Sequence, residues 1–355
     1  MTIAAKLEAW THRQWASRGL AACLLYPLSL IYQAAAAAKR RRTTPMRVAV
    51  PVVVVGNIYV GGTGKTPVTI ALVRALRSRG WHPGVVSRGF GRAEDGVRLV
   101  SVDSSAAEVG DEPLLIARET LAPVAVGRNR YGAAKALLAA HPDVDLIVSD
   151  DGLQHFSLAR DVELAVIGAR GLGNEWTLPA GPLREPPSRL DDVDAIVLNT
   201  TTDVEVASRT PRFAASSCFA ACTQLATDAV TDIDELARRC ASSGLQALAA
   251  AGIAAPGRFF AMVRAHGIDC AELELGDHYD YSKNPFENRR EGLILITGKD
   301  AVKCARIPAI KNDPRIWVVG LEVVLDPYLV DLVDAKAVEA AKRLGRHPEV
   351  RNDTI

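Results

Sequence analysis

From residue 48 onward, short β-branched runs alternate with longer segments of helical period. The runs are Val48–Val55, Gly84–Val86, Val97–Val102, Pro123–Val126, Leu146–Val148, Glu163–Ile167 and Ala195–Leu198. Strands that are apolar at consecutive positions are covered on both faces, so this alternation predicts an α/β fold, a mostly parallel sheet with helices on both sides. The block ends at Asn199, and the polar run Thr200-Thr201-Thr202-Asp203 reads as a linker. A second, smaller set follows: strands Ala247–Ala251, Leu293–Thr297 and Ile316–Val319, with helices from Pro256 to His266 and from Leu329 to Leu344. It predicts a second, smaller α/β domain, and the expected organisation is 1–42, 43–203 and 204–355.

The first of these segments has a different pattern. LAACLLYPLSLIYQAAAAA, residues 20–38, carries no charge, and Lys39, Arg40, Arg41 and Arg42 follow at once. A spanning helix needs about 20 apolar residues, so the length is borderline, and Pro27, Ser29, Gln33 and the alanine run lower the insertion tendency. The expectation is an interfacial, membrane-contact helix with its basic end at anionic head groups on the cytoplasmic side. Two rivals are a cleaved signal peptide, which the basic residues beyond the apolar stretch oppose, and a buried packing helix.

Charge sharpens that contrast. The whole chain of 355 residues has a net charge of +1, yet residues 1–50 hold eight basic side chains against Glu8 alone. The basic cluster adjoins an apolar segment and lacks interleaved aromatics, which argues against nucleic acid as a partner. Six scattered cysteines form no C-x-x-C pair, so neither a disulfide framework nor a zinc site is expected.

The strongest chemical signal is Gly61-Gly62-Thr63-Gly64-Lys65-Thr66-Pro67, set between the run Val52–Val55 and a helix-like segment from Pro67 to Arg79. Strand, glycine loop and helix form a phosphate-binding arrangement. Backbone N–H groups converge on phosphate oxygens, Lys65 reaches the β/γ-phosphates and the Thr66 hydroxyl suits Mg²⁺. The usual pattern has glycine where this chain has Tyr59, so Gly56, Gly61 and Gly62 are expected to supply the backbone freedom. Leu146–Val148 runs on into Ser149-Asp150-Asp151, an apolar strand ending in carboxylates, and one of Asp150 and Asp151 is expected at the metal. His155, four residues on, suits either a structural or a catalytic role. In the second block, Gly276-Asp277-His278 falls in a loop, where His278 is available for chemistry or a partner.

Taken together, Val55-Gly56-Asn57, the glycine loop, Ser87-Arg88-Gly89-Phe90-Gly91, Gly110-Asp111-Glu112-Pro113, Asp150-Asp151-Gly152-Leu153-Gln154-His155 and Pro179-Ala180-Gly181-Pro182-Leu183-Arg184-Glu185 closely resemble the tetraacyldisaccharide 4′-kinase family. Ala251-Gly252-Ile253, Pro256, Arg258-Phe259-Phe260, Asp277-His278 and Thr297 to Lys303 extend the resemblance over nearly the whole chain. One departure is Gly298, where the family has glutamate. The resemblance implies ATP- and Mg²⁺-dependent phosphorylation of the 4′-hydroxyl of a tetraacyl glucosamine disaccharide 1-phosphate, at the cytoplasmic face of the inner membrane. It also implies a P-loop NTPase-like fold, with Asp111 as base and His278 as its partner across two domains. Arg88, Arg130 and Arg184 are candidates for holding substrate phosphate or nucleotide. A P-loop ATPase switch acting on a protein partner at the membrane is the alternative, and substrate-dependent ADP release separates the two.

Overall fold

Four consecutive valines, Val52 to Val55, are buried on both faces of a central strand, and the rest of the molecule is layered outward from it. The computed structural model describes residues 14–92, 95–101, 103–200, 202–277 and 279–346. In chain order the strands are β1 (Val52–Gly56), β2 (Pro83–Ser87), β3 (Arg98–Val100), β4 (Val124–Val126), β5 (Leu146–Asp150), β6 (Val162–Gly168), β7 (Ala195–Asn199), β8 (Arg212–Gln224), β9 (Val230–Thr231), β10 (Ala247–Ala251), β11 (Cys270–Glu274), β12 (Leu293–Thr297) and β13 (Ile316–Leu325). The helices are α1 (Leu20–Arg42), α2 (Lys65–Ser78), α3 (Ala106–Val109), α4 (Asp111–Thr120), α5 (Arg130–Ala140), α6 (Ile233–Ser243), α7 (Pro256–Ala265), α8 (Gly298–Cys304), α9 (Pro308–Lys311) and α10 (Pro327–Arg343).

All thirteen strands join one sheet, in the order β11-β10-β12-β13-β8-β7-β6-β1-β5-β2-β4-β3, with β9 on β8. Pairing is mostly parallel within each half, as the alternating pattern predicts. Antiparallel pairs occur at β3/β4, β8/β9 and β8/β13. The β8/β13 ribbon connects the halves. The sequence pattern extends the last strand only to Val319, whereas β13 runs on to Leu325. Strand β8, rich in Ala, Ser and Cys, has too weak an apolar alternation to be legible.

Two buried clusters flank the β1 half of the sheet. In one, Val68, Leu72, Val73 and Leu76 of α2 pack with Val53, Val55 and Val148. The same cluster takes in Val323 and Leu325 of β13 and Leu329, Val333 and Ala337 of α10, so the C-terminal helix returns to cover the first half. The β10–β12 half has its own clusters, around Phe259, Phe260 and Val263 of α7 on one face and around Tyr281, Phe286 and Ile310 on the other.

Helix α1 reverses the ordinary rule of burial. Leu20, Leu24, Leu28, Leu30 and Ile31 are exposed, while Ser29 is fully buried. Ser29 Oγ donates to the Thr177 carbonyl at 2.8 Å and accepts from Ala180 N at 3.1 Å, and Gln33 Nε2 donates to Thr177 Oγ1 at 3.0 Å. Tyr26 packs on Trp176 with ring centroids 4.5 Å apart. The polar stripe that lowers the insertion tendency is thus the docking face, and the leucines point away from the protein. Only 11% of its most apolar window is buried, which removes the buried packing helix as a reading.

Candidate active site

Strand β1 delivers the chain into the glycine loop at the carboxyl edge of the sheet, where ligands of open α/β folds bind. Gly64 has φ +79 and caps α2, a left-handed conformation that favours glycine. Gly62 is small for a different reason. A Cβ there would come within 2.8 Å of Ala254 Cβ, so the loop closes directly against the second half. Tyr59, at the position where glycine is usual, is buried, with the Arg170 guanidinium 5.7 Å from its ring centroid. The loop is braced by Asn57 Nδ2 donating to Thr63 Oγ1 at 2.9 Å and by Val60 N donating to the Pro182 carbonyl at 2.8 Å.

Register places the carboxylates beside this loop, because Val55 pairs with Asp150 across β1/β5. The two aspartates then meet opposite environments. Asp150 is 1% exposed and accepts from Thr69 Oγ1 at 3.0 Å. Burial, reinforced by Glu112 and Asp151, pushes its carboxyl up to about 7. Asp151 turns toward the cleft from a backbone with φ +47, a left-handed conformation that Asp tolerates. Burial would raise it too, but Lys65 Nζ at 3.5 Å and Arg184 Nη1 at 3.3 Å outweigh that and hold it at about 2. Adjacent residues therefore present one carboxylate able to hold a proton near neutrality and one fixed as an anion.

Lys65, Thr66, Pro67, Gly61, Gly62, Thr63, Gly64 and Asp151 line a cleft of about 1220 Å³ that also receives Arg88 and Arg184. Arg130 does not belong with them. It is fully buried, is not among the residues lining the cleft, and donates to the Gly127 carbonyl at 2.7 Å and the Asp150 carbonyl at 3.3 Å, supporting the end of β5. His155 reaches the cleft, but burial and then the positive charge of Arg130 depress it to about 3. Both effects favour the neutral imidazole.

The opposite wall is shared, with Asp111 and Glu112 from the first half and Asp277, Lys299 and Lys303 from the second. Asp111, the first residue of α4, is 4% exposed, with Lys303 Nζ at 3.1 Å and Lys299 Nζ at 3.9 Å. Its Oδ1 accepts from Glu112 N at 2.9 Å. Lys299 also meets Asp277 at 3.2 Å and Glu112 at 3.6 Å, and these carboxylates raise its pKa against the opposing effect of burial. Glu112, Asp277 and Lys299 line the cleft, with Asp111 beside them in the ion-pair cluster. His278 lies outside the described residues.

Several residues of this site carry no signal in the pattern. Asn199 Nδ2 donates to the Thr63 and Gly64 carbonyls, both at 3.3 Å. Asn199 in turn accepts from Ser217 Oγ at 3.2 Å and, through its carbonyl, from Arg258 Nη1 at 3.2 Å. The cue available was position, since Asn199 ends a parallel strand at the carboxyl edge. Hard oxygen donors suited to Mg²⁺ are present in Thr66 and the anionic Asp151.

A family model described as Tetraacyldisaccharide-1-P 4′-kinase matches residues 21–338. A tetraacyldisaccharide 4′-kinase of Herminiimonas arsenicoxydans is 47% identical over 352 residues, covering 96% of this chain and 97% of that protein. Another from Dechloromonas aromatica is 44% identical, covering 93% and 98%. The crystal structure of an "apo" form of LpxK from Aquifex aeolicus in complex with ATP superimposes with a TM-score of 0.74 at 26% identity, over 89% of this chain and 99% of that one. A glycine loop at the sheet's carboxyl edge, two carboxylates beside it and similarity along nearly the full length agree: the chain belongs to the tetraacyldisaccharide-1-P 4′-kinase family.

Proposed function

We propose that this chain, an ATP-dependent 4′-kinase of tetraacyldisaccharide 1-phosphate in lipid A synthesis, divides the reaction between the two walls of its cleft. The observation that carries this reading is that Lys65 and Asp151 share one cavity with Glu112, Asp277 and Lys299, with Asp111 ion-paired to Lys299 and Lys303 beside it. The β1 half, residues 43–203, forms the nucleotide lobe, and residues from 204 onward form the smaller lobe. Loop N–H groups and Lys65 hold the phosphates of ATP, and Arg88 and Arg184 are available for phosphate oxygens of substrate or nucleotide. Thr66 and Asp151 are the oxygen donors for Mg²⁺, with Asp150 behind them. Bound there, Mg²⁺ would supply positive charge against the transferred phosphoryl group.

Asp111 takes the proton of the 4′-hydroxyl, with His278 as its partner. The freed oxygen bonds to the γ-phosphorus as the bond to the β–γ bridging oxygen breaks, and ADP leaves. In the resting arrangement Lys303 and Lys299 occupy the Asp111 carboxylate. A sugar hydroxyl entering the cleft would have to share it with them.

The exposed leucines of α1 supply the membrane contact, with Lys39 to Arg42 at the cytoplasmic surface of the inner membrane. A substrate with four acyl chains stays in a bilayer, so the enzyme has to work at one. The decisive assay is purified protein with ATP, Mg²⁺ and tetraacyldisaccharide 1-phosphate. Stoichiometric ADP and 4′-phosphorylated lipid are expected, and ADP release unaffected by lipid would sink the reading. Changing Leu24, Leu28 and Ile31 to Ser is expected to weaken sedimentation with vesicles while sparing activity on detergent-dispersed substrate. These side chains are exposed, so the fold is retained.

A further inference from the structure

Apart from the catalytic cleft, a second cavity of about 670 Å³ opens at the foot of α1. Its wall carries four guanidinium groups, from Arg40, Arg47, Arg160 and Arg189, against the single carboxylate of Glu163. That carboxylate is shared, since Glu163 Oε1 lies 2.8 Å from Arg160 Nη1 and 2.7 Å from Arg189 Nη2. Only 2% of the Arg189 side chain is exposed; Glu185 Oε2 lies 3.4 Å from its Nε, and its Nη1 has no hydrogen-bond partner among the described residues. A buried guanidinium with an unmade bond is costly, and an anion with several acceptor oxygens relieves that cost.

Arg160 is anchored, whereas Arg40 and Arg47 are about half-exposed. Phe156 carries Arg40 and Arg160 over its ring, 5.6 Å and 5.4 Å from the centroid. Stacking of this kind fixes the plane of a guanidinium while leaving its edge to hydrogen-bond an anion. Arg40 pairs with Asp192 at 3.2 Å and Arg47 with Asp161 at 2.8 Å, both with about half-exposed arginines. The Arg40–Asp192 pair is exposed on both sides and weak, so a phosphate can replace it at little cost, and the buried Asp161 keeps Arg343 at 3.6 Å and the Val52 N–H at 3.0 Å when Arg47 turns to a phosphate.

Position decides which anion is meant. Arg40 belongs to the last turn of α1, and the basic end of that helix sits at head-group depth whether the helix lies along the interface or crosses it. We propose that this cavity binds the phosphate of an anionic membrane glycerophospholipid, as a site separate from the catalytic cleft. The inference rests on α1 being the membrane contact. A consequence for catalysis follows from Arg160, which donates to the Leu153 carbonyl at 3.1 Å and the His155 carbonyl at 2.5 Å. An occupied site would hold the 151–155 loop, and with it Asp151, from behind.

The test uses the full chain and vesicles of phosphatidylcholine with or without phosphatidylglycerol, measuring sedimentation and the activity on vesicle-borne substrate. Arg40→Gln with Arg47→Gln is compared with Arg41→Gln with Arg42→Gln, which removes the same charge from residues that do not line the cavity. Both pairs lose diffuse attraction, and the cavity pair is expected to lose about tenfold more of the phosphatidylglycerol-dependent affinity and its stimulation of activity. Activity on detergent-dispersed substrate and the thermal midpoint are expected to stay unchanged in both. Equal losses in the two pairs would overturn the site in favour of diffuse charge. Stimulation of protein on neutral vesicles by millimolar inorganic phosphate would reassign it to a free anion. Absence of sedimentation with every vesicle would overturn the membrane reading along with it.

Discussion

The two walls of the catalytic cleft are built in different ways. On the nucleotide side, Lys65 and Thr66 lie within ten residues of the buried end of β1, and Asp150 is fixed by direct strand register with Val55. On the other side, Asp111 owes its environment to Lys299 and Lys303, about 190 positions away in the chain and on the other half of the sheet. The first wall is set by local geometry and persists whenever the sheet is folded. The second exists only while the two halves are in contact. Phosphate binding is therefore expected to survive damage to the second wall, whereas proton transfer is not.

The largest expected effect falls on the local wall. Lys65→Ala removes the charge directed at the phosphates, and kcat/KM is expected to fall by about 10³-fold with an unchanged circular dichroism spectrum. Near-normal turnover would refute the role of the loop.

Next comes the composite wall, where Asp111→Ala is expected to lower kcat by about 10²- to 10³-fold while leaving ATP affinity nearly intact. If His278 acts with it as one unit, the double variant with His278→Ala should be little worse than the more damaging single change. Additive losses would separate the two residues, and lost ATP binding would move Asp111 to the nucleotide side.

Lys303→Met tests the contact between halves with a smaller expected effect, a drop in kcat of about tenfold, in the range of one charge-assisted hydrogen bond. Its pH–rate profile is the sharper readout, since removing a cation 3.1 Å from Asp111 should move the acidic limb upward. Lys303→Arg should restore much of the profile, and an unmoved limb would deny the link.

The smallest effect concerns stability. Asp150, raised to about 7 by burial, binds a proton in the folded chain between about pH 4 and 7, where the unfolded chain has already lost it. Its contribution is thus present at low pH and declines as the pH rises through that window. Asp150→Asn, without nucleotide, should flatten this decline, with a gain of about 2–4 °C in midpoint above neutrality for each kcal/mol recovered. A variant with the same pH dependence as the parent would place the titrating group elsewhere. Asp151, held at about 2, contributes stability above its unfolded value that is lost only in strong acid.

Legibility followed the same division. The glycine loop, the parallel alternation and the paired carboxylates were readable because each depends on neighbours in sequence and on the period of a strand or helix. Arg130 could not be told apart from Arg88 and Arg184 because an arginine near a loop gives no sign of burial, and here its partners are the carbonyls of Gly127 and Asp150. Asn199 and Arg258 went unassigned for the converse reason. Asn199 reaches the loop from the end of a distant strand, and Arg258 reaches Asn199 from the other half, contacts that only folding creates.

In α1, the sequence alone specified an uncharged helix with a basic end, since composition and period set both. Only the tertiary structure decided which face docks. Ser29 and Gln33 find hydrogen-bond partners on the 177–180 loop, and the leucines, with no apolar surface among the described residues to cover them, are left outward. The strand–loop–helix that cradles phosphate was likewise determined by the sequence, through backbone geometry that glycine and valine impose locally. The pairing of Asp111 with Lys303 and the return of α10 to the first core were decided by the tertiary structure. Those contacts join distant segments, and their energy depends on the burial and charge that folding itself creates.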